Sequence, residues 1–127
     1  MTTVVLDTNA LMMPVECDCR VFDEVERVVG GDPDYVVPTA VVAELEDLAE
    51  GGGEEATAAR VGRDLADRCR VVETDEDYAD DAVVALAARD GADYVVTNDR
   101  PLRDRLLDRG VRVIGLRGET KLAVTRP

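Results

Sequence analysis

Three acidic residues stand where a chain of alternating strands and helices concentrates its chemistry. Asp7 closes the apolar run Thr3-Val4-Val5-Leu6 and is followed by Thr8-Asn9, with no further acid until Glu16. Asp99 lies just past another such run, in Val96-Thr97-Asn98-Asp99. Open parallel sheets bind ligands beyond the carboxyl ends of their strands, so both acids fall in that zone. Each also has an ordinary use: Asp7 can make a turn bond to its own backbone, and Asp99 can cap the helix that follows. Asp80 has no such easy use. At 100° per residue along a helix over 78–90 it shares a face with Val83, Val84 and Ala87, the side meant for the core, while Asp81 is rotated toward Ala85 and Ala88. A carboxylate on that face must be compensated by the helix dipole, a partner or a cation. Left unpaired it would cost several kcal/mol, so a cation is expected there.

A fourth acid is left open by geometry. Over 39–50, Val41, Val42, Leu45, Leu48 and Ala49 form an apolar stripe that Glu44 borders on one edge and Glu46 on the other. Other chemistries are excluded. The chain has no histidine, which removes a Ser-His-Asp triad, a Cys-His pair and His-ligated zinc. Cys17 and Cys19 form a C-x-C pair, but with only Cys69 besides they cannot complete a four-ligand zinc site. Buried or loop thiols are expected instead.

The elements that must position these acids follow from the hydrophobic pattern. Five short, continuous, β-branched runs (3–7, 35–38, 70–72, 93–97 and 111–114) read as strands buried on both faces. Helical patterns over 20–29, 39–50, 54–68, 78–90 and 100–109 lie between them, with Gly91 and Gly110 at expected C-caps. The expected fold is a three-layer α/β/α sandwich on a central, mostly parallel five-stranded sheet. At 127 residues the chain fits a single domain over 1–127, large enough to fold without disulfides. No apolar stretch reaches a membrane span and no leader precedes the first strand, so an intracellular, cytoplasmic protein is expected.

Charge is unevenly distributed. The net charge is −13, with 28 Asp and Glu against 15 Lys and Arg, and Lys121 is the only lysine. Such a composition resembles proteins of halophiles, whose salty cytoplasm screens self-repulsion. Residues 95–127 nevertheless carry eight cations and four acids, and form the natural place for an anion. The aromatics Phe22, Tyr35, Tyr78 and Tyr94 are expected in the core, leaving no base-stacking platform.

Together, Leu6-Asp7-Thr8-Asn9, Pro38-x-x-Val41-x-x-Glu44-Leu45, Ala79-Asp80-Asp81-Ala82-Val83-Val84-Ala85-Leu86-Ala87 and Val96-Thr97-Asn98-Asp99 resemble the PIN-domain ribonucleases, over residues 3 to 116 and in family order. Leu11-Met12-Met13-Pro14 and Tyr78-Ala79-Asp80-Asp81 resemble most the archaeal rRNA-processing PIN nucleases, with VapC toxins as near relatives sharing the acids. The resemblance implies an acidic set of Asp7, Glu44, Asp80 and Asp99, supported by Asn9 and Thr97, with Asp81 in reserve. It implies endonucleolytic cleavage of RNA. Clustered carboxylates repel one another until a divalent cation neutralises them, and oxygen-only ligation selects Mg²⁺ or Mn²⁺, as one or two ions. Asp7, Asp80 and Asp99 would bind metal; Glu44 would bind directly, through water, or orient the attacking water. Arg100 and Arg103, beside Asp99, would hold RNA phosphate. The alternatives are a non-catalytic RNA-binding or ribosome-assembly module of the same fold and a VapC-type toxin. The expected partners are RNA, with a pre-ribosomal particle, a small protein or a second copy of the chain beside it.

Overall fold

The computed structural model describes the backbone of residues 1–127 and every side chain except that of Asp90. Each predicted run becomes a strand: β1 (Thr3–Leu6), β2 (Asp34–Pro38), β3 (Arg70–Val72), β4 (Tyr94–Val96) and β5 (Arg112–Arg117). These five are parallel neighbours in the order β3-β2-β1-β4-β5. In four of the runs the continuous hydrophobicity reflects burial on both faces: Val4, Val5, Leu6, Val36, Val37, Val95, Val96, Val113 and Ile114 are all within the core. β3 departs from that expectation, because it lies at the sheet's edge and leaves Val71 49% exposed.

A sixth strand is present that the pattern did not predict. β6 (Lys121–Thr125) folds back antiparallel on β5, with Arg117 opposite Lys121 and Ile114 opposite Val124. Gly118, at φ +79°, supplies the left-handed residue of the tight connection. Only Leu122 of β6 is buried, so this edge strand lacks the apolar run that marks the others. Its open edge is covered by α2 (Val21–Val29): Glu24 accepts from the Leu122 N–H at 2.9 Å, and Arg27 donates to the Leu122 carbonyl at 2.8 Å. An ion pair thus satisfies the groups through which a bare edge would recruit another strand.

The remaining helices are α1 (Thr8–Glu16), α3 (Thr39–Ala49), α4 (Gly53–Leu65, continued by a short 3₁₀ turn at 66–68), α5 (Ala79–Asp90) and α6 (Arg100–Asp108). Gly91 ends α5 in the left-handed conformation, as predicted. The helix absent from the predicted set is α1. It is only nine residues long and contains Pro14, which weakens any helical signal. Its buried Ala10, Leu11, Met12 and Met13 pack against α4. The two helices meet at Gly62, where a Cβ would stand 2.9 Å from the Leu11 carbonyl oxygen. That close approach brings α4 to the same end of the sheet as α1, which matters for the site. No helix among the described residues is long and apolar enough to cross a membrane.

Candidate active site

The strand order runs outward from β1 in both directions, so the crossovers diverge between β1 and β4. At such a switch point the connections beyond the strand ends separate and leave a crevice. Here the crevice is an open cleft of about 400 Å³, lined by Asp7, Thr8, Asn9, Glu44, Asp80 and Asp99 among others. A water molecule's share of liquid is about 30 Å³, so a hydrated cation and a phosphate group fit together.

Asp7 is the deepest acid, 3% exposed. It caps α1 by accepting the Ala10 N–H at 2.7 Å on Oδ1, while Oδ2 accepts a short hydrogen bond from the Thr97 hydroxyl. Burial nevertheless pushes its carboxyl up to about 7, against the opposing pull of those two donors, with a further rise from Asp80 and Asp99. Asp99 caps α6 by accepting the Leu102 N–H at 2.9 Å. Its own N–H donates to the Thr97 oxygen at 3.0 Å, so one hydroxyl ties both capping acids together. Asn9 accepts the Asn98 N–H at 3.0 Å and fastens α1 to the end of β4. The capping roles of Asp7 and Asp99 are therefore real, and both still face the cleft.

Asp80 departs from expectation. It is exposed rather than held against the core; the inward face of α5 is filled by Ala79, Ala82, Val83, Leu86 and Ala87. In the first turn of the helix, beyond the sheet's edge, the inward direction opens into the cleft. Partial desolvation there, then Asp99 and Glu44, raise its pKa, and Arg105 partly offsets them. Asp81 lies outside the cleft and pairs with Arg105 at 2.9 Å. Glu44 lines the cleft from α3, whereas Glu46 turns toward Arg63 of α4 at 3.9 Å.

Two other expectations are corrected. Tyr78 is 76% exposed and not in the core, because it precedes the first turn of α5 beyond the sheet. Phe22 and Tyr35 are buried edge to face at 4.8 Å, and Tyr94 is covered by the Arg112 guanidinium at 4.4 Å. Arg103 lines a separate hollow on the far side of β4, and Arg100 is exposed at the start of α6.

The cleft contains residues that pattern reasoning missed. Glu16 and Glu55 line it, as does Thr8, whose buried hydroxyl makes no hydrogen bond. Asn9, Met12 and Glu16 follow one face of α1 at helical spacing, so recognising that helix would have found Glu16. Glu55 comes from α4 and reaches the cleft through the Gly62 contact, which carries no local signal.

Among the described residues no three acids converge into a ready-made metal cage. The donor set nevertheless fits a hard cation: it is all oxygen, two of its carboxylates are held above their ordinary pKa by burial and by neighbouring carboxylates, and an orphaned hydroxyl stands in the wall.

Residues 4–119 match the PIN-like domain family, and the chain belongs to it. Ribonuclease VapC4 of Methanocaldococcus jannaschii is 26% identical over 120 residues, covering 92% of each chain. Among solved structures, the PIN domain endonuclease Utp24 superposes with a TM-score of 0.80 at 25% identity, covering 98% of this chain and 92% of that one. VapBC2 from Rickettsia felis, bound to a promoter DNA fragment, superposes at 0.66 with 12% identity over 91% of this chain and 100% of its own, and shares the fold alone.

Proposed function

We propose that this protein is a cytoplasmic, metal-dependent endoribonuclease. The observation that carries the reading is the convergence of Asp7, Glu44, Asp80 and Asp99 from four separate elements on the switch-point cleft. Asp7, Asp80 and Asp99 would hold Mg²⁺ or Mn²⁺, with Glu44 binding directly or through water. Such an ion, when bound, lowers the pKa of a water and stabilises charge at the scissile phosphate.

The chain's own residues supply the rest. Thr97 and the Ala10 N–H fix the Asp7 carboxylate from two sides, so its orientation is set before a ligand arrives. The Leu102 N–H engages one oxygen of Asp99 and leaves the other to the cleft. Glu44, on an exposed face of α3 across from Asp80, is placed to orient an attacking water. Thr8 offers a hydroxyl to a water or phosphate oxygen. Arg100, exposed at the first position of α6 next to Asp99 in the chain, is assigned to RNA phosphate. The negative net charge favours operation at high salt, where the Debye length shrinks to about 3 Å and local contacts dominate.

Within this reading we favour processing of ribosomal RNA, on the resemblance of Leu11-Met12-Met13-Pro14 and Tyr78-Ala79-Asp80-Asp81 to the rRNA-processing PIN nucleases. The likeness to the Utp24 endonuclease over nearly the full length of both chains supports endonucleolytic cleavage. The VapC4 match supports the alternative of a toxin with a small protein antagonist. Growth arrest on expression would select the toxin; co-sedimentation with pre-ribosomal particles would select processing. The nuclease reading itself is tested by incubating structured RNA with the protein in molar KCl and Mn²⁺. Cleavage by wild type that is lost with EDTA and in Asp80→Asn is expected. RNA bound but uncut by wild type would replace the enzyme with a binding module.

A further inference from the structure

Beside the acidic cleft, across the Thr97-Asn98 segment, lies a second concavity of opposite character. It is a hollow of about 80 Å³ between the ends of β4 and β5 and the edge strand β6, lined by Thr97, Asn98, Arg103, Gly115, Arg117 and Thr125 among others. Among the described residues no carboxylate lines it. Two features favour an anion there. Arg103 lines the hollow, and its guanidinium is held by a long ion pair to Asp104 at 3.6 Å, which leaves donors for the bidentate contact a guanidinium makes with an anion. Arg117 makes no ion pair among the described residues and faces the same hollow from β5. Gly115 lets β5 lie close against the wall of the hollow, since a Cβ there would stand 3.0 Å from the Thr97 carbonyl oxygen.

Charge selects the ligand: two arginines line the hollow, and a phosphoryl group matches the paired donors of a guanidinium. Position relates it to the cleft: the Thr97 hydroxyl bonds Asp7 and the Asn98 N–H bonds Asn9, so one two-residue segment forms the wall of both concavities. We propose that this hollow binds a backbone phosphate of the RNA strand, at a nucleotide flanking the one cut in the acidic cleft, through Arg103 and Arg117. This rests on the ribonuclease reading and gives that enzyme a local electropositive anchor despite its net charge of −13. It also assigns a purpose to β6, which supplies Thr125 and closes the hollow.

The test follows the Arg103 Nε–H resonance by ¹⁵N–¹H NMR in EDTA, for wild type and Arg117→Gln, during titration with inorganic phosphate and separately with an unstructured RNA oligonucleotide. Backbone spectra establish that the variant is folded. Saturable shifts with both ligands are expected in wild type. Arg117→Gln should weaken RNA binding roughly 5- to 10-fold and lower its salt slope by about one. No saturable shift with either ligand overturns the site. A shift with phosphate but not RNA overturns the RNA assignment and leaves a small-anion site. Shifts with both, in a protein that cuts no RNA with Mn²⁺, support the anchor and refute the nuclease reading.

Discussion

Asp7 and Glu24 are both carboxylates withdrawn from solvent, 3% and 8% exposed, yet their surroundings are opposite. Glu24 is met by Arg27 at 2.8 Å, by the Leu122 N–H at 2.9 Å and by Lys121 at 3.7 Å, and these hold its pKa down at about 2. Asp7 has two neutral donors, and its charged neighbours are other acids, so burial prevails and its carboxyl rises to about 7. The first carboxylate is a finished structural joint, closing the edge of the sheet. The second has no cation beside it among the described residues. That difference marks Asp7 as a candidate site acid, and Glu24 as a fold-holding one, more clearly than burial does.

The largest expected effect is on activity. Asp7→Asn and Asp80→Asn should each reduce metal-dependent RNA cleavage by more than the roughly 10- to 100-fold that loss of an outer-shell partner costs. Asp7→Asn should do so with an unchanged or higher melting temperature in EDTA, because it removes a charge held in an unfavourable place. A large loss of stability in Asp7→Asn would break the comparison. Thr97→Val, which leaves Asp7 without its orienting hydroxyl, should cost about 10- to 100-fold, read as cleavage rate at saturating Mn²⁺.

Glu24→Gln should behave in the opposite way. It should keep cleavage activity and lose about 2 kcal/mol of stability, the scale of a hydrogen bond to a charged group, measured by urea unfolding. The pH dependence has a definite sign. Because the folded pKa of Glu24 lies below its ordinary 4.5, its contribution is complete above that pH and disappears as pH falls toward about 2. Wild type should therefore lose stability across this window, and Glu24→Gln should show a shallower decline. Equal slopes would mean that the ion pair does not couple to folding.

Smaller effects sharpen the contrast between neighbours. Asp81, one residue from Asp80, is spent on an exposed pair with Arg105, 47% and 41% exposed, so Asp81→Asn should cost at most about 1 kcal/mol. Its cleavage rate should stay close to that of wild type, because its carboxylate lies outside the cleft.

Much of this arrangement is legible in the residues. β1, β2, β4 and β5 are legible because they are buried on both faces, and their ends mark where Asp7 and Asp99 must lie. What escapes the pattern does so for identifiable reasons. β6 is half-exposed and α1 is short and interrupted by Pro14, so neither carries a full apolar period. Asp80 sits on the helix face that should be inward, but at the first turn inward means the cleft, a distinction set by where the sheet ends. Glu55 depends on how closely α4 approaches α1 at Gly62, a tertiary contact with no trace in local spacing. The hollow of Arg103 and Arg117 depends on β6 and is invisible without it.

On the proposed function, the unmet charge of the switch-point acids is a demand for a divalent cation. Calorimetric titration of the metal-free protein with Mn²⁺ at neutral pH tests it most directly, with Asp80→Asn and Glu24→Gln alongside. Saturable binding of one or two ions by wild type and Glu24→Gln, lost or greatly weakened in Asp80→Asn, is the predicted result. No saturable binding by wild type, or equal binding by all three proteins, would contradict the account.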